Sequence, residues 1–205
     1  MKNCKRSRRQ VAGFTLIELM IVVVIAAVLL AIAIPSFSTM IKKNNVEALQ
    51  AKLSGAVSTA RSEAASRNVF VSICLTADFE TCAAAGDDDW SAGWIVFTDR
   101  GVQGQVDGDD EIIDVFENMR LDYTIMLSED VAALTYSSQG FLVGGNDVLI
   151  TVCKPENNEA EDIKFARGLI VTSSGLLVKT NDTDADGVHD RPAPGGAPPV
   201  ALTCN

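Results

Sequence analysis

The chain has 205 residues, which is enough for one domain of moderate size and a membrane anchor. Its formal net charge is −10, and an acidic surface disfavours generic binding to nucleic acid. Five of the 17 basic residues precede Gly13, so the rest of the chain carries 12 basic against 27 acidic residues.

An apolar run of 21 residues, Phe14 to Ile34, follows the short basic segment. A helix of about 20 residues spans a bilayer, and basic residues in front of it stay on the cytoplasmic side. The run contains one charged residue, Glu18. A carboxylate inside such a segment is costly and marks a functional position. The sequence therefore predicts a transmembrane helix over 14–35 in which Glu18 has a role.

The junction Gly13-Phe14-Thr15-Leu16-Ile17-Glu18 resembles the N-terminus of type IV pilin-like proteins. The resemblance implies a leader over 1–13 that a prepilin peptidase removes after Gly13. It also implies methylation of the new amine of Phe14 and guidance of subunit docking by Glu18. Two alternatives stay open. One is an ordinary secretory signal with Ala31-Ile32-Ala33 as its cleavage site, although the apolar run is long for such a signal. The other is a plain membrane anchor, in which Glu18 has no function.

A second half of the same helix is predicted over 36–68. Pro35 follows the apolar run and can kink a helix without ending it. Apolar residues beyond it recur at helical spacing, which predicts an amphipathic helix with one face on a globular domain. These residues are Leu49, Leu53, Ala56, Val57, Ala60 and Ala64.

The remaining segment, 69–205, has the pattern of a β-rich domain with an acidic C-terminal tail. Short runs rich in β-branched and aromatic residues alternate with turn residues, which predicts antiparallel sheet. Ser173-Ser174-Gly175 predicts a hairpin turn between the last two runs. The predicted strands are Val69–Leu75, Gly93–Thr98, Ile112–Phe116, Leu121–Leu127, Val148–Cys153, Leu169–Thr172 and Leu176–Val178. The fold class is therefore α+β.

Four cysteines remain after the leader: Cys74, Cys82, Cys153 and Cys204. An even number outside the cytoplasm predicts two disulfides, with three possible connectivities. We favour Cys74–Cys82, which closes a local loop, and Cys153–Cys204, which ties down the last residues. A metal site is the alternative, but the chain has neither Cys-x-x-Cys nor a Cys/His cluster.

Two further segments narrow the resemblance. The segment 60–67, Ala-Arg-Ser-Glu-Ala-Ala-Ser-Arg, leads into the first strand, and 90–100 runs from Trp90 through Trp94 to an acidic loop. Both resemble the GspH/FimT family of minor pilins and pseudopilins. The resemblance implies a long N-terminal helix packed on an antiparallel domain. It also implies that Trp90 and Trp94 fill the core and bind no ligand.

The same resemblance implies a structural function. The main hypothesis is a minor pilin of a type IV pilus, FimT- or FimU-like, that primes or caps filament assembly. The alternative is a minor pseudopilin of the type II secretion system. A major pilin is disfavoured, because like charges repel in a dense array. The implied partners are other pilins or pseudopilins, the prepilin peptidase and the inner membrane. The domain would face the periplasm before it enters the filament.

No catalytic constellation is evident, so we predict neither an enzyme nor a cofactor. His189 is the only histidine, and neither Gly-x-Ser-x-Gly nor a phosphate-binding loop is present. Weak calcium binding is one hypothesis for the acidic tail, because carboxylates at alternate positions before a glycine suit a hard cation. The candidate ligands are Asp182, Asp184, Asp186 and Asp190. The alternative is a solvated acidic loop.

A second, less complete carboxylate group consists of Asp107, Asp109 and Asp110. Some FimT-like minor pilins bind DNA through arginines near the C-terminus. Here that region has Lys179 and Arg191 among several aspartates, so we expect no nucleic-acid partner.

Overall fold

The computed structural model describes residues 13–84, 90–117, 122–128, 131, 133–155, 162–191 and 200–204. The leader up to residue 12 lies outside these ranges, as do the triple aspartate at 87–89 and residues 192–199 of the tail. The chain divides into two compact units, 1–41 and 42–205.

The first element is one helix, α1, which spans Leu16–Arg67 and continues through Pro35. It begins two residues later than predicted, because Thr15 is its N-cap: the Thr15 hydroxyl accepts a hydrogen bond from the Glu18 N–H. It ends at Arg67, and the next residue, Asn68, has a left-handed backbone with φ of 55°. The N–H of Val69 then bonds the Ala64 carbonyl, so the last turn closes on itself.

The part of α1 in the second unit buries one face in the main hydrophobic core. The six apolar positions predicted from helical spacing are all buried, and Val46 joins them. Polar residues on the other positions, such as Lys52 and Ser58, are exposed. The amphipathic prediction for this half of the helix is therefore confirmed.

Within the part of the chain that the structure describes, ten strands follow the helix, in two four-stranded antiparallel sheets and one short ladder. The first sheet has the order β3-β2-β1-β5 and the second the order β4-β6-β7-β8, while β9 pairs with β10. Their bounds are β1 Phe70–Leu75, β2 Gly93–Asp99, β3 Ile112–Glu117, β4 Thr124–Leu127, β5 Ala133–Tyr136, β6 Val148–Cys153, β7 Arg167–Val171, β8 Leu177–Lys179, β9 Asp190–Arg191 and β10 Val200–Ala201. A short 3-10 helix covers Ile163–Phe165.

Residues from α1 and from both four-stranded sheets form one core. Trp90 and Trp94 are buried in it, as predicted, and the ring of Trp94 stacks on Phe116 with centroids 4.1 Å apart. The indole N–H of Trp90 has no hydrogen-bond partner among the described residues. Both tryptophans therefore serve packing.

The strand predictions differ from the structure in several places, including β4, which begins at Thr124 and not at Leu121. β5 was not predicted. It pairs with β1 over four residues, and the hydroxyls of Ser72 in β1 and Thr135 in β5 form a hydrogen bond. β7 begins at Arg167, two residues earlier than predicted. A side chain at Gly168 would collide with Thr180, which explains why a glycine lies within this strand. The β9–β10 ladder, which joins two parts of the acidic C-terminal segment, was not predicted.

The structure contains the two favoured disulfides, Cys74–Cys82 and Cys153–Cys204. Within the first loop the Asp78 carboxylate accepts hydrogen bonds from the N–H groups of Glu80 and Thr81. The second disulfide joins the end of β6 to the tail, where Leu202 is buried. The disulfides thus fix one local loop and one distant segment.

β3 lies at the edge of its sheet and is mostly exposed. The carboxylate of Asp114 accepts a hydrogen bond of 2.9 Å from the N–H of its neighbour Val115. Glu111 and Glu117 lie at the two ends of the same strand and are exposed. The edge is therefore acidic, and one of its backbone donors is occupied by a side chain.

Candidate functional site

The predicted processing and assembly residues lie together at the start of α1. Gly13 and Phe14 precede the helix and are exposed, with 84% of Phe14 accessible, and the helix begins two residues after Phe14. Glu18 occupies the first turn of the helix, where a carboxylate is favoured by the helix dipole. The predicted scissile bond therefore lies between two exposed residues, and the predicted docking carboxylate is one helical turn beyond it.

The first unit exposes a long apolar surface. Every side chain that the structure describes in residues 13–41 is exposed. The large apolar residues among them include Leu19, Ile25, Leu29 and Ile34, all more than half exposed. The most apolar 18-residue window of this helix has a mean hydropathy of 3.1, so it is long and apolar enough to cross a membrane. This surface needs lipid or protein to cover it.

The acidic loop between β8 and β9 brings three of its four predicted ligands together. Carboxylate oxygens of Asp182, Asp184 and Asp190 lie within 4.8 Å of one another. Asp186 is not part of this group, and its carboxylate accepts the N–H of Val188 instead. Asp190 is buried, and hydrogen bonds from the N–H and hydroxyl of Thr183 lower the pKa of its carboxyl group. Three converging carboxylates suit a hard cation such as calcium.

The second predicted carboxylate group, after β2, serves the backbone of its own loop. Asp107 accepts the N–H of Val102, and Asp110 accepts the N–H groups of Arg100 and Asp107. The buried carboxylate of Asp99 accepts the N–H of Gly104. Asp109 does not join Asp107 and Asp110 in a metal-binding arrangement among the described residues. These side chains act as loop caps.

His189 is partly buried beside the acidic loop. Its Nδ1 lies 2.8 Å from the Thr180 carbonyl oxygen, so Nδ1 carries the proton and donates it. Burial lowers the pKa of His189, and the positive charges of Arg167 and Lys43 lower it further, against the opposite effects of the hydrogen bond to the Thr180 backbone and of Asp182. The imidazole acts as a hydrogen-bond donor to the backbone.

One surface feature was not predicted. A groove of about 340 Å³ lies between α1 and the turns at Gly140 and Gly175, and Arg61 lines it. The sequence contains only a weak indication of this groove, which is that Arg61 lies between Val57 and Ala64, two residues of the buried helical face. Lys179 and Arg191, the basic residues weighed for DNA binding, are both exposed.

A helix with an exposed apolar N-terminal half and an antiparallel domain with two disulfides together define a pilin-like protein. The family model described as "Type II transport protein GspH" matches residues 50–175, and the chain belongs to this family. The model described as "Prokaryotic N-terminal methylation motif" matches residues 8–34, which include Gly13, Phe14 and Glu18. The predicted family is thus confirmed.

Solved structures similar to the chain include two crystal forms of the type IV minor pilin FimU from Pseudomonas aeruginosa. They are 20% and 17% identical to the chain, with TM-scores of 0.49 and 0.46. The matches cover 67% and 68% of this chain and 90% of each FimU chain. A comparison with curated proteins gives no significant match.

Proposed function

We propose that this chain is a minor pilin that primes or caps the assembly of a type IV pilus. The observation that carries the proposal is the first unit: an exposed apolar helix with one carboxylate, Glu18, inside a methylation motif. Such a helix is stable in lipid and equally stable among the helices of other subunits. The function is therefore structural, with no catalytic group, cofactor or nucleic acid assigned to it.

Processing would prepare the helix for assembly. A prepilin peptidase cuts after Gly13 and releases the amine of Phe14, which is then methylated. The helix crosses the inner membrane once, with the β-rich unit in the periplasm, until the subunit is extracted. Basic residues of the leader, on the cytoplasmic side, support this orientation.

Glu18 would set the position of the subunit in the filament. In a low-dielectric environment its carboxylate pairs with the terminal amine of a neighbouring subunit. A buried charge without its partner is strongly penalised, whereas the net stabilisation from the complete pair is small. The pair therefore favours one register of neighbouring helices over others.

A second candidate function is that of a minor pseudopilin in a type II secretion system. The description of the matching family model favours it. The same processing, anchor and Glu18 pairing apply to both filaments. The two functions differ in the assembly that incorporates the subunit, which is a type IV pilus in the first and a type II secretion system in the second.

Deletion of the gene, followed by separate assays of piliation and of protein secretion, tests the proposal. We expect loss of surface pili with normal secretion, and the processed chain in the sheared pilus fraction. Loss of secretion with normal piliation would favour the pseudopilin function. Normal piliation and normal secretion would contradict both.

A further inference from the structure

The groove next to Arg61, here named the Arg61 groove, has one cationic side chain and no acidic one among its described lining residues. Its walls on α1 include Val57, Arg61 and Ala65, and Gly140, Gly175 and Leu177 line the opposite side. The remaining lining residues are serines and a glutamine. The described lining of the groove therefore carries a positive charge, although the whole chain has a net charge of −10.

Most of the hydrogen-bonding capacity of Arg61 is unused. Its Nε donates a hydrogen bond of 3.0 Å to the Gly140 carbonyl, and this bond fixes the plane of the guanidinium. The two terminal nitrogens have no partner among the described residues. A guanidinium offers five N–H donors in a fixed fork, so four remain available for a ligand. Arg67, on the same helix, is different because it pairs with Glu63 and Glu111.

Tyr136 lies at the same turn as Arg61, although it is not among the residues that line the groove. It is buried, and its hydroxyl has no hydrogen-bond partner among the described residues. A side-chain carbon built on Gly175 would lie 3.1 Å from Arg61 Nε and 3.1 Å from the Tyr136 ring. Arg61 and Tyr136 therefore meet at the same turn. Buried polar groups without partners are uncommon, and a ligand or water often satisfies them.

Two turns face Arg61, and in each of them an exposed apolar residue follows the glycine. Gly140 and Gly175 both have φ of 78°, and a side chain on Gly175 would approach the Gly140 carbonyl oxygen to 2.0 Å. The two turns can therefore touch because residue 175 is a glycine. Phe141 and Leu176 follow these glycines, and each is 52% exposed.

We propose that the Arg61 groove binds an aspartate or glutamate side chain of a partner protein, on a segment whose apolar neighbours contact Phe141 and Leu176. A carboxylate matches the planar fork of a guanidinium and forms two parallel hydrogen bonds with it. The absence of acidic lining residues leaves the positive charge available to the partner. This inference goes beyond the proposed function, because it concerns the β-rich unit and requires neither membrane nor filament.

Peptide binding to the purified full chain in detergent tests the inference. The probe is a fluorescein-labelled hexapeptide of alternating Leu and Glu, and its control has Gln in place of Glu. We expect saturable binding of the Glu peptide, and binding of the Gln peptide weaker by about tenfold or more, because a charge-assisted hydrogen bond is lost. Equal affinity for the two peptides, or no binding of the Glu peptide at millimolar concentration, would overturn the proposal.

Three variants locate the binding. Arg61→Gln should weaken it by about tenfold or more, whereas Arg67→Gln, which removes the same charge from the same helix, should change it less than about twofold. Ser62→Phe fills the groove and leaves Arg61 in place, so it should also abolish binding while the chain remains folded. An equal effect of Arg61→Gln and Arg67→Gln would indicate nonspecific attraction and refute the site. Full affinity in Ser62→Phe would refute it as well.

Discussion

The hydroxyl of Thr15 accepts a hydrogen bond of 3.2 Å from the backbone N–H of Glu18. The two residues have the spacing of a capping box, in which Thr caps the helix and a glutamate follows three residues later. Glu18 therefore has a local structural explanation besides its proposed role in assembly. The two roles predict different behaviour when each residue is replaced separately.

We expect Glu18→Ala to leave membrane insertion and leader cleavage intact but to remove the subunit from filaments. The altered segment is more apolar, so its affinity for the membrane does not fall. In the filament the neighbouring amine loses its partner in a low-dielectric environment. Immunoblots of sheared filaments and membranes from the same cells measure the distribution.

Thr15→Val is the matched control for this experiment. It removes the cap, which costs a helix about 1 kcal/mol, but keeps the carboxylate. Its filament fraction should stay close to that of the wild type. If Thr15→Val and Glu18→Ala deplete the filament equally, helix capping explains the effect and the docking role fails.

The Cys153–Cys204 disulfide should contribute more stability than the Cys74–Cys82 disulfide. It closes a loop with a sequence separation of 51, against 8 for the other. In the chain-entropy model, replacing both cysteines by serine costs about 4 kcal/mol for the long loop and about 2.5 kcal/mol for the short one. Each pair includes one fully buried cysteine, so the packing losses are similar.

Urea unfolding of the two double-serine variants, with the full chain in detergent, measures both values. The long-loop variant should have the lower midpoint. The reverse order would show that local contacts within the short loop outweigh loop entropy.

Stability should fall between pH 7 and pH 5 because of His189. Burial and the charges of Arg167 and Lys43 lower its pKa in the folded state, against the attraction of Asp182. The unfolded chain therefore binds a proton first as the pH falls below about 6.5, and folding becomes less favourable. The unfolding midpoint should be lower at pH 5 than at pH 7.

His189→Gln is the control, because glutamine keeps an N–H donor but has no titratable group. Its midpoint should change much less over this pH range. An undiminished pH dependence would assign the effect to other groups.

Calcium should bind weakly to the loop that contains Asp182, Asp184 and Asp190. Three carboxylates without a bidentate glutamate resemble the weakest protein sites, with dissociation constants of about 10⁻⁴ to 10⁻³ M. Calorimetry on the full chain should show this affinity, and Asp184→Asn should abolish it. Asp186→Asn is the matched control, because Asp186 lies outside the carboxylate group and its variant should bind normally. No heat at millimolar calcium would leave the loop as a solvated acidic segment.

A pair of glycine substitutions should have opposite effects on stability. Gly175→Ala should destabilise the chain by at least about 1 kcal/mol, since Gly175 has φ of 78° and the added carbon meets the Gly140 carbonyl. Gly55→Ala should stabilise it by about 0.5–1 kcal/mol, because Gly55 is in a helix and its added carbon meets nothing within 4 Å. Thermal unfolding of the two variants compares them. A stabilising Gly175→Ala would contradict the tight contact of the two turns.

The sequence predicted those features that depend on local periodicity. The burial of Leu53 and Val57 follows from helical spacing, and β6 was predicted with its observed bounds because it is rich in valine and isoleucine. β5 was missed because its pairing with β1 depends on tertiary contacts between residues far apart in the chain.

The candidate sites divide in the same way, into features that local sequence determines and features that tertiary contacts determine. The junction around Gly13 was predicted from residues next to one another in the chain. Asp184 and Asp186 could not be distinguished by spacing, because the folded conformation of the loop decides which carboxylate joins the group. The Arg61 groove needed residues from α1 and from two turns more than 75 residues away.

The acidic edge of β3 has a consequence for how copies of this chain can associate. An exposed edge strand can add strands from another molecule and grow into a cross-β aggregate. Asp114 occupies one donor of this edge, and two β3 strands brought side by side would repel through their carboxylates. Uncontrolled polymerisation through this sheet edge is therefore disfavoured, even when many copies are concentrated at one membrane.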